Sequence, residues 1–190
     1  MPAPNPNRPN LILLLIGLGL ILIAGAAFLA LPGVLPSAPQ PSAGLIMAPL
    51  SVDFPAPDVR LTDLQGRPVS FSDYQGQVIL YNAWATWCAP CKAEMPVLQA
   101  YYQAHRQDGF VVIAIEDGEP LRDVAAYARD YALTFPVWPD TKWVATSAFH
   151  INDLPTSYVI DRAGTVRLTW SGPATRAALE HYLTPQLHGN

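Results

Sequence analysis

The chain has 190 residues, of which 51% are hydrophobic and only 14% charged, so it accommodates one ordinary domain together with a membrane segment. The net charge is −4 and the Lys and Arg residues form no run, which argues against nucleic acid as a partner, because phosphate binding needs clustered basic side chains. The two cysteines, Cys88 and Cys91, are too few for a disulfide-stapled secreted scaffold or a four-cysteine zinc site.

The first element is an uncharged apolar run over residues 11–31, reading LILLLIGLGLILIAGAAFLAL. As a helix it would be about 31 Å long, which matches the hydrocarbon thickness of a bilayer. We therefore predict a cytoplasmic N-terminus over residues 1–10 and a transmembrane anchor over residues 11–31 that places the chain in contact with lipid. Arg8 precedes the run and no further base occurs before Arg60, so the positive-inside rule predicts an extracytoplasmic domain on a single-pass cell-membrane protein.

A cleaved signal peptide is the alternative interpretation of this segment, with Ala24-Gly25-Ala26 as the cleavage site. The apolar run continues beyond that point, which favours an uncleaved anchor, and both interpretations place the domain in the same compartment. Residues 32–57 are rich in proline, with Ser, Ala and Gly between, and predict a semi-rigid linker. The globular domain is then predicted over residues 58–190.

Within that domain the hydrophobic pattern alternates between strands and helices. A helix between two buried strands implies a parallel pair with a right-handed crossover, and a later β-hairpin makes the sheet mixed. The predicted fold class is therefore an α/β three-layer sandwich with a mixed central sheet of about five strands. The predicted strands are 59–62, 69–71, 77–83, 110–115, 156–160 and 165–170, and the predicted helices are 90–105, 121–131, 143–149 and 174–187.

The stretch that carries chemistry is residues 84–91, reading WATWCAPC, between a predicted strand and a predicted helix. Cys88 thus stands at a helix N-terminus, where free N–H groups and the helix dipole favour a thiolate, and it is the predicted attacking sulfur. Cys91 follows one turn later and is placed to resolve a mixed disulfide. The competing interpretations are half of a metal site and an inert structural disulfide.

The block NAWATWCAPCKAEMP over residues 82–96, together with Gly76, residues 154–156 and the turn at residues 161–164, resembles the thioredoxin superfamily. Within it the sequence is similar to the TlpA/ResA-like branch of membrane-anchored thiol–disulfide oxidoreductases, which includes the cytochrome c maturation thioredoxins. The similarity covers roughly residues 57–187. It implies a thioredoxin-like fold and a redox-active cysteine pair that works without a cofactor or metal, and we expect a monomer.

The resemblance also implies roles for residues outside the cysteine pair. Pro155 matches the family's cis-proline that faces the active-site disulfide, and a proline there leaves a strand edge at which a substrate peptide can pair. We therefore assign Pro155 to the catalytic set. The predicted substrate-binding residues flank the proline and the cysteines in sequence: Trp87, Ala89, Pro90, Leu154 and Thr156.

Glu94 is the remaining predicted catalytic residue. It follows Cys91 by three positions and so shares its helix face, and the resemblance associates this position with tuning of the cysteines. A solvated helix carboxylate is the alternative. Ordinary thioredoxins carry a buried Asp where this chain has Asn82, and because an amide accepts no proton, Glu94 or water must take the proton of Cys91. Glu116, at the end of its strand, is a weaker candidate.

These features predict an extracytoplasmic enzyme that reduces disulfides of specific partner proteins, such as apocytochrome c. Because the outer compartment is oxidising, such a reductase needs a membrane thiol carrier as its electron donor. The alternatives are a dithiol oxidase of secreted proteins and a copper chaperone for oxidase assembly, in which the two thiolates would bind Cu(I). A peroxiredoxin-type peroxidase fits less well, because its cysteine arrangement differs.

Overall fold

The computed structural model describes residues 15–16, 18–19 and 48–188. The predicted cytoplasmic N-terminus, most of the predicted anchor and the linker up to residue 47 lie outside the described residues. The four described residues of the predicted anchor are helical. Within the part of the chain that is described, no helix is long and apolar enough to cross a membrane. The architecture that follows is that of the compact unit Leu45–Asn190.

Eight strands and several helices build this unit. The strands are β1 (Leu50–Pro55), β2 (Arg60–Thr62), β3 (Pro68–Ser70), β4 (Val78–Trp84), β5 (Phe110–Glu116), β6 (Val137–Pro139), β7 (Thr156–Ile160) and β8 (Thr165–Ser171). The helices are α1 (Ala89–His105), α2 (Leu121–Asp130), α3 (Val144–Ala148) and a short 3-10 helix, Phe71–Tyr74. A C-terminal helix follows in three consecutive segments, Arg176–Ala178, Leu179–Leu183 and Thr184–His188, of which the middle one is π-helical.

The main sheet has six strands in the order β1-β8-β7-β4-β5-β6. β4 runs parallel to β5, and β5 to β6, whereas β7 is antiparallel to β4, so the sheet is mixed as predicted. Trp84 lies opposite Glu116, and Ala83 lies opposite Thr156. The last residues of β4, β5 and β6 and the first residue of β7 therefore meet at one end of the sheet, called here the carboxyl end.

Two apolar clusters, one on each face of the sheet, hold the three layers together. β4 and β5 are buried along their whole length, and because side chains alternate along a strand they feed both clusters. Burying one large apolar side chain contributes about 1.5–3 kcal/mol. The first cluster joins Leu80 and Val112 to Leu98, Tyr127 and Leu183 of the helices, and the second joins Tyr81 and Ile113 to Phe71, Ala145 and Phe149.

The structure differs from the predicted domain boundary at β1, which lies inside the segment predicted as linker. β1 pairs antiparallel with β8, and Val52 and Phe54 pack against the second core cluster. The surrounding prolines hid this alternation in the sequence, although Pro55 is tolerated at the end of an edge strand. The domain therefore includes residues 50–55, which were predicted as linker.

The strand count differs as well. The predicted hairpin forms, but β2 and β3 make a separate two-stranded sheet. β1 and the three-residue strand β6, which lies next to Pro136, were not predicted, and together they bring the main sheet to six strands. The C-terminal helix begins at Arg176, two residues later than predicted, because Thr175 is its N-cap residue, with an extended backbone and a hydroxyl that accepts from the Ala178 N–H.

Candidate active site

The predicted cysteine pair lies at the carboxyl end of the sheet. β4 ends at Trp84, a turn follows, and Cys88 is the N-cap residue of α1. Pro90 occupies the first helical turn, where its missing N–H removes no helical hydrogen bond. Cys88 and Cys91 form a disulfide, and the Cys91 backbone N–H donates to Cys88 Sγ at 3.3 Å. The sequence prediction of a sulfur pair across a helix N-terminus is confirmed.

The two sulfurs differ in their access to solvent. Cys91 is completely buried, and Cys88 is 4% exposed. Around Cys88 the neighbouring residues are open to solvent: Ala89 and Pro90 are exposed, and the Trp87 side chain is 67% exposed. An approaching protein thus meets Trp87, Ala89 and Pro90 and reaches Cys88 before Cys91.

The predicted proline segment lies beside the strand that leads to the cysteines. The Leu154–Pro155 peptide bond is cis, as expected, and Pro155 is buried. Because Thr156 lies opposite Ala83 of β4, this segment borders the turn that carries Cys88. Leu154 is half-buried, whereas Thr156 is buried and its hydroxyl donates to the Asp153 carbonyl at 2.7 Å.

Glu94 is buried, with 1% of its surface exposed, so the alternative of a solvated helix carboxylate is wrong. Asn82 Nδ2 donates to Glu94 Oε1 at 2.9 Å, and the Ala174 backbone N–H donates to Glu94 Oε2 at 2.6 Å. Burial raises the pKa of Glu94 to about 7, against the opposing effect of these two hydrogen bonds. A carboxyl group that changes charge near neutral pH therefore lies one helical turn from Cys91.

Asn82 is the residue that connects Glu94 to the sheet. It lies in the middle of β4, is fully buried, and donates a second hydrogen bond to Ser157 Oγ at 3.1 Å. Such a polar residue in an apolar strand needs a partner, and that requirement was the available sequence signal for this contact. Tyr127 of α2 is a further neighbour that sequence reasoning missed. Its pKa is raised, mainly by burial and in part by the charges of Tyr131 and Glu94.

A second pair of carboxyl groups lies at the same end of the sheet. Glu116, the last residue of β5, is fully buried, and burial together with a hydrogen bond from its carboxyl group to the Glu119 side chain raises its pKa to about 8. Glu119 accepts hydrogen bonds from the Thr86 backbone N–H and hydroxyl at 2.6 and 2.5 Å. Burial alone would raise the pKa of Glu119, but these bonds outweigh it and the pKa is lowered. Sequence reasoning identified Glu116 as a candidate and missed Glu119.

Comparison with known proteins agrees with this geometry. Residues 52–169 match the model of the AhpC/TSA family. The chain is 36% identical over 134 residues to the thiol-disulfide oxidoreductase ResA of Geobacillus kaustophilus (strain HTA426), covering 70% of this chain and 77% of that protein. It is 31% identical over 128 residues to ResA of Bacillus subtilis (strain 168), covering 67% of this chain and 72% of that protein.

The solved structures that the chain resembles indicate the same kind of protein. A putative thiol:disulfide interchange protein DsbE from Chlorobium tepidum superimposes with a TM-score of 0.67 at 30% identity, covering 73% of this chain and 99% of that one. StoA from Bacillus subtilis superimposes with a TM-score of 0.57 at 26% identity, covering 70% and 98%. Proteins of this kind exchange disulfides through a cysteine pair and need no cofactor. The chain therefore belongs to the AhpC/TSA family, within its ResA-like thioredoxin-fold members, and is a thiol–disulfide oxidoreductase that works on protein disulfides.

Proposed function

We propose that the chain is a membrane-anchored, extracytoplasmic reductase of disulfides in specific partner proteins, of which apocytochrome c is the expected example. The observation that carries the reductive direction is the buried Glu94, one helical turn after Cys91 and held by Asn82 and Ala174. An anionic carboxylate near the cysteines disfavours their thiolates. An interaction that makes the thiolates less stable makes the dithiol easier to oxidise, so Glu94 makes the pair a better electron donor.

The reaction proceeds in two exchanges at sulfur. The Cys88 thiolate attacks one sulfur of the partner's disulfide, so that a Cys88–partner mixed disulfide forms and the partner's other sulfur leaves as a thiolate. Cys91 then loses its proton and attacks Cys88 Sγ. The Cys88–Cys91 disulfide forms, and the second partner thiolate leaves. Two electrons pass from the enzyme's dithiol to the partner, and each released thiolate takes up a proton.

The chain's own groups support each of these roles. Cys88 is the N-cap of α1, where the helix dipole and the Cys91 N–H favour negative charge on its sulfur. Its position beside exposed Trp87 makes it the sulfur that a partner reaches first. Cys91 is buried, so its proton needs a nearby base, and Glu94, with a pKa of about 7, is matched to that transfer at neutral pH.

The proposed binding surface consists of the residues that surround Cys88 at the carboxyl end of the sheet. Trp87, Ala89 and Pro90 contribute exposed surface on the helix side. Leu154 and Pro155 border the same turn from the β7 side. An extended segment of the partner would lie beside these two residues. Thr156 is the weakest member of this set, because its hydroxyl donates to the Asp153 carbonyl and its backbone lies between β4 and β8.

The proposed location rests on the amino-acid sequence. The uncharged run over residues 11–31, with Arg8 before it, would anchor the chain in the bilayer and leave the redox domain outside. Protease added to intact spheroplasts should then digest the domain, while a cytoplasmic marker protein survives. Full protection of the domain under those conditions would exclude the proposed topology.

The decisive experiment for the reductive function is the reduction potential of the Cys88–Cys91 pair, measured by equilibration with thiol buffers. We expect a value near or below about −250 mV, in the range of a reducing thioredoxin. A value near about −120 mV would identify an oxidant, and the chain would then be assigned to the oxidation of secreted proteins. A Glu94→Gln variant should move the potential upward, because the buried carboxylate that disfavours the thiolates is gone.

A further inference from the structure

The carboxyl end of the sheet contains a second group of charged residues that disulfide exchange, as described above, leaves without a role. Glu116 and Glu119 are close in space, and the Glu119 backbone N–H donates to both carboxylate oxygens of Glu116 at 3.1 Å. A side-chain hydrogen bond between the two carboxyl groups raises the pKa of Glu116 and lowers that of Glu119. The pair thus holds one proton between two acids, with Glu119 as the charged member.

Glu119 also accepts hydrogen bonds from the turn that precedes Cys88, the attacking sulfur. Its two carboxylate oxygens accept one hydrogen bond each from the Thr86 N–H and the Thr86 hydroxyl. Thr86 is separated from Cys88 only by Trp87, and the turn is closed by the Cys88 N–H, which donates to the Ala85 carbonyl at 3.2 Å. Both Glu119 contacts cross 33 positions of sequence, so they fasten the redox turn to the loop after β5.

We propose that Glu119 is a positioning residue for the nucleophile: with Glu116 behind it, it fixes Thr86 and thereby holds Cys88 at the N-terminus of α1. The arrangement needs Glu116 in its protonated form, because two anionic carboxylates that are neighbours in a buried site repel each other. The proposal rests on thiol–disulfide exchange at Cys88 and is independent of the direction of electron flow.

Other charged groups face the pair and are part of the same environment. Lys92 of α1 lowers the pKa of Glu119, and Asp117 of the loop after β5 raises that of Glu116. Asp140, at the end of β6, is occupied by the backbone N–H groups of Val144, Ala145 and Thr146. Asp117 is likewise engaged, by the Thr146 hydroxyl at 2.7 Å. Thr86 is therefore the residue through which Glu119 contacts the turn before Cys88.

The test uses the reduced full-length protein and the rate of Cys88 alkylation by iodoacetamide between pH 5 and 10. Glu119→Ala and Thr86→Val should both shift the midpoint of this profile upward, by about half a pH unit, because a less firmly held Cys88 loses part of the helix-terminus effect. Thr86→Val removes the hydroxyl contact without changing any charge. Adding Thr86→Val to Glu119→Ala should shift the midpoint no further.

Each alternative role predicts a different pattern. If Glu119 acted only through its charge, Glu119→Ala would shift the midpoint downward and Thr86→Val would leave it in place. If it acted only in stability, thermal unfolding temperatures would fall while all midpoints stayed unchanged. Either pattern would overturn the proposal. Glu180→Gln, which removes an exposed carboxylate paired with Arg176, serves as the control and should not move the midpoint.

The proton on Glu116 is tested separately with Glu116→Gln, whose amide keeps a donor toward Glu119 at every pH. Insulin is the disulfide probe, with dithiothreitol as electron source. Above about pH 8 the wild-type kcat/KM should fall at least about threefold below that of Glu116→Gln, the two being similar at pH 7. Superimposable profiles would refute the role of the proton. If no variant, including the wild type, reduced insulin, the exchange function itself would fail, while the alkylation profiles would still decide the positioning role.

Discussion

Replacing Glu94 with Gln should change how the stability of the oxidised domain depends on pH. The carboxyl group is buried, and its pKa rises from 4.5 to about 7 on folding. The folded state therefore binds this proton more tightly than the unfolded chain. The stabilisation of the folded state by this proton is fully present below about pH 4.5 and is lost as the pH rises through about 7. The difference of about 2.5 pH units, at about 1.4 kcal/mol each, corresponds to about 3.5 kcal/mol.

The variant has a cost of its own. Its amide oxygen can still accept the hydrogen bond from Asn82, but its NH₂ group cannot accept from the Ala174 N–H. Leaving that backbone donor without a partner costs about 1–2 kcal/mol at every pH. The two curves should therefore cross: Glu94→Gln is less stable than wild type at pH 4.5 and more stable, by about 2 kcal/mol, at pH 8.5.

Urea unfolding of the compact unit from Leu45 onward, kept oxidised, measures these free energies at pH 4.5, 7 and 8.5. Glu116 contributes a pH dependence of the same sign, but it is present in both proteins and cancels in the difference. Glu180→Gln, at an exposed ion pair with Arg176, is the matched control and should run parallel to wild type. The reasoning is refuted if Glu94→Gln also runs parallel to wild type across this pH range.

Three further predictions concern the sulfurs, the glycine in the loop after β5 and the core. Cys88→Ser should abolish disulfide exchange, whereas Cys91→Ser should accumulate mixed disulfides with partners, visible on non-reducing gels; full activity of the Cys88 variant would exclude the mechanism. Gly118→Ala should destabilise by about 2 kcal/mol, because its Cβ would lie 2.6 Å from Trp143 Nε1 and its φ of +89° disfavours a side chain; adding Trp143→Ala should recover only part of the loss. Leu98→Ala, at a fully buried position, should cost about 2–5 kcal/mol in urea unfolding, and a loss below about 1 kcal/mol would contradict its place in the core.

The sequence predicted the elements whose signals are local. β4 and β5 are continuous apolar runs, and both formed as expected. Cys88 and Cys91 stand between a strand and a helix in the predicted order, and Pro155 lies where the family resemblance placed it. In each case the deciding information is contained within a few consecutive residues.

The rest depends on contacts between distant segments. The spacing of Glu94 from Cys91 fits a buried and a solvated carboxylate equally well, and only the packing of Asn82 and Ala174 distinguishes them. Thr86 and Glu119 meet across 33 positions with no pattern that links them. β1 was missed for a different reason: an edge strand needs only one apolar face, and prolines on both sides concealed it.

The direction in which β1 enters the sheet affects where the two ends of the domain lie. Leu50 pairs with Thr169, near the end of β8 that adjoins Thr156 and the carboxyl end of the sheet. Three strand spacings separate β1 from β4, which is about 14 Å. The last segment of the C-terminal helix lies at the other end, where the Arg162 guanidinium donates to the Leu187 carbonyl at 2.8 Å. The chain therefore enters β1 at the end of the sheet that bears the cysteines.

If the protein is anchored as proposed, the length of the linker limits how far the cysteine pair can lie from the membrane. Residues 32–49 would reach at most about 60 Å when fully extended. The cysteine pair would then remain within a limited distance of the bilayer, which favours partners that are themselves held at the membrane surface. A fluorophore attached after the C-terminal helix, which ends beside Arg162, would leave the end of the sheet that bears the cysteines free.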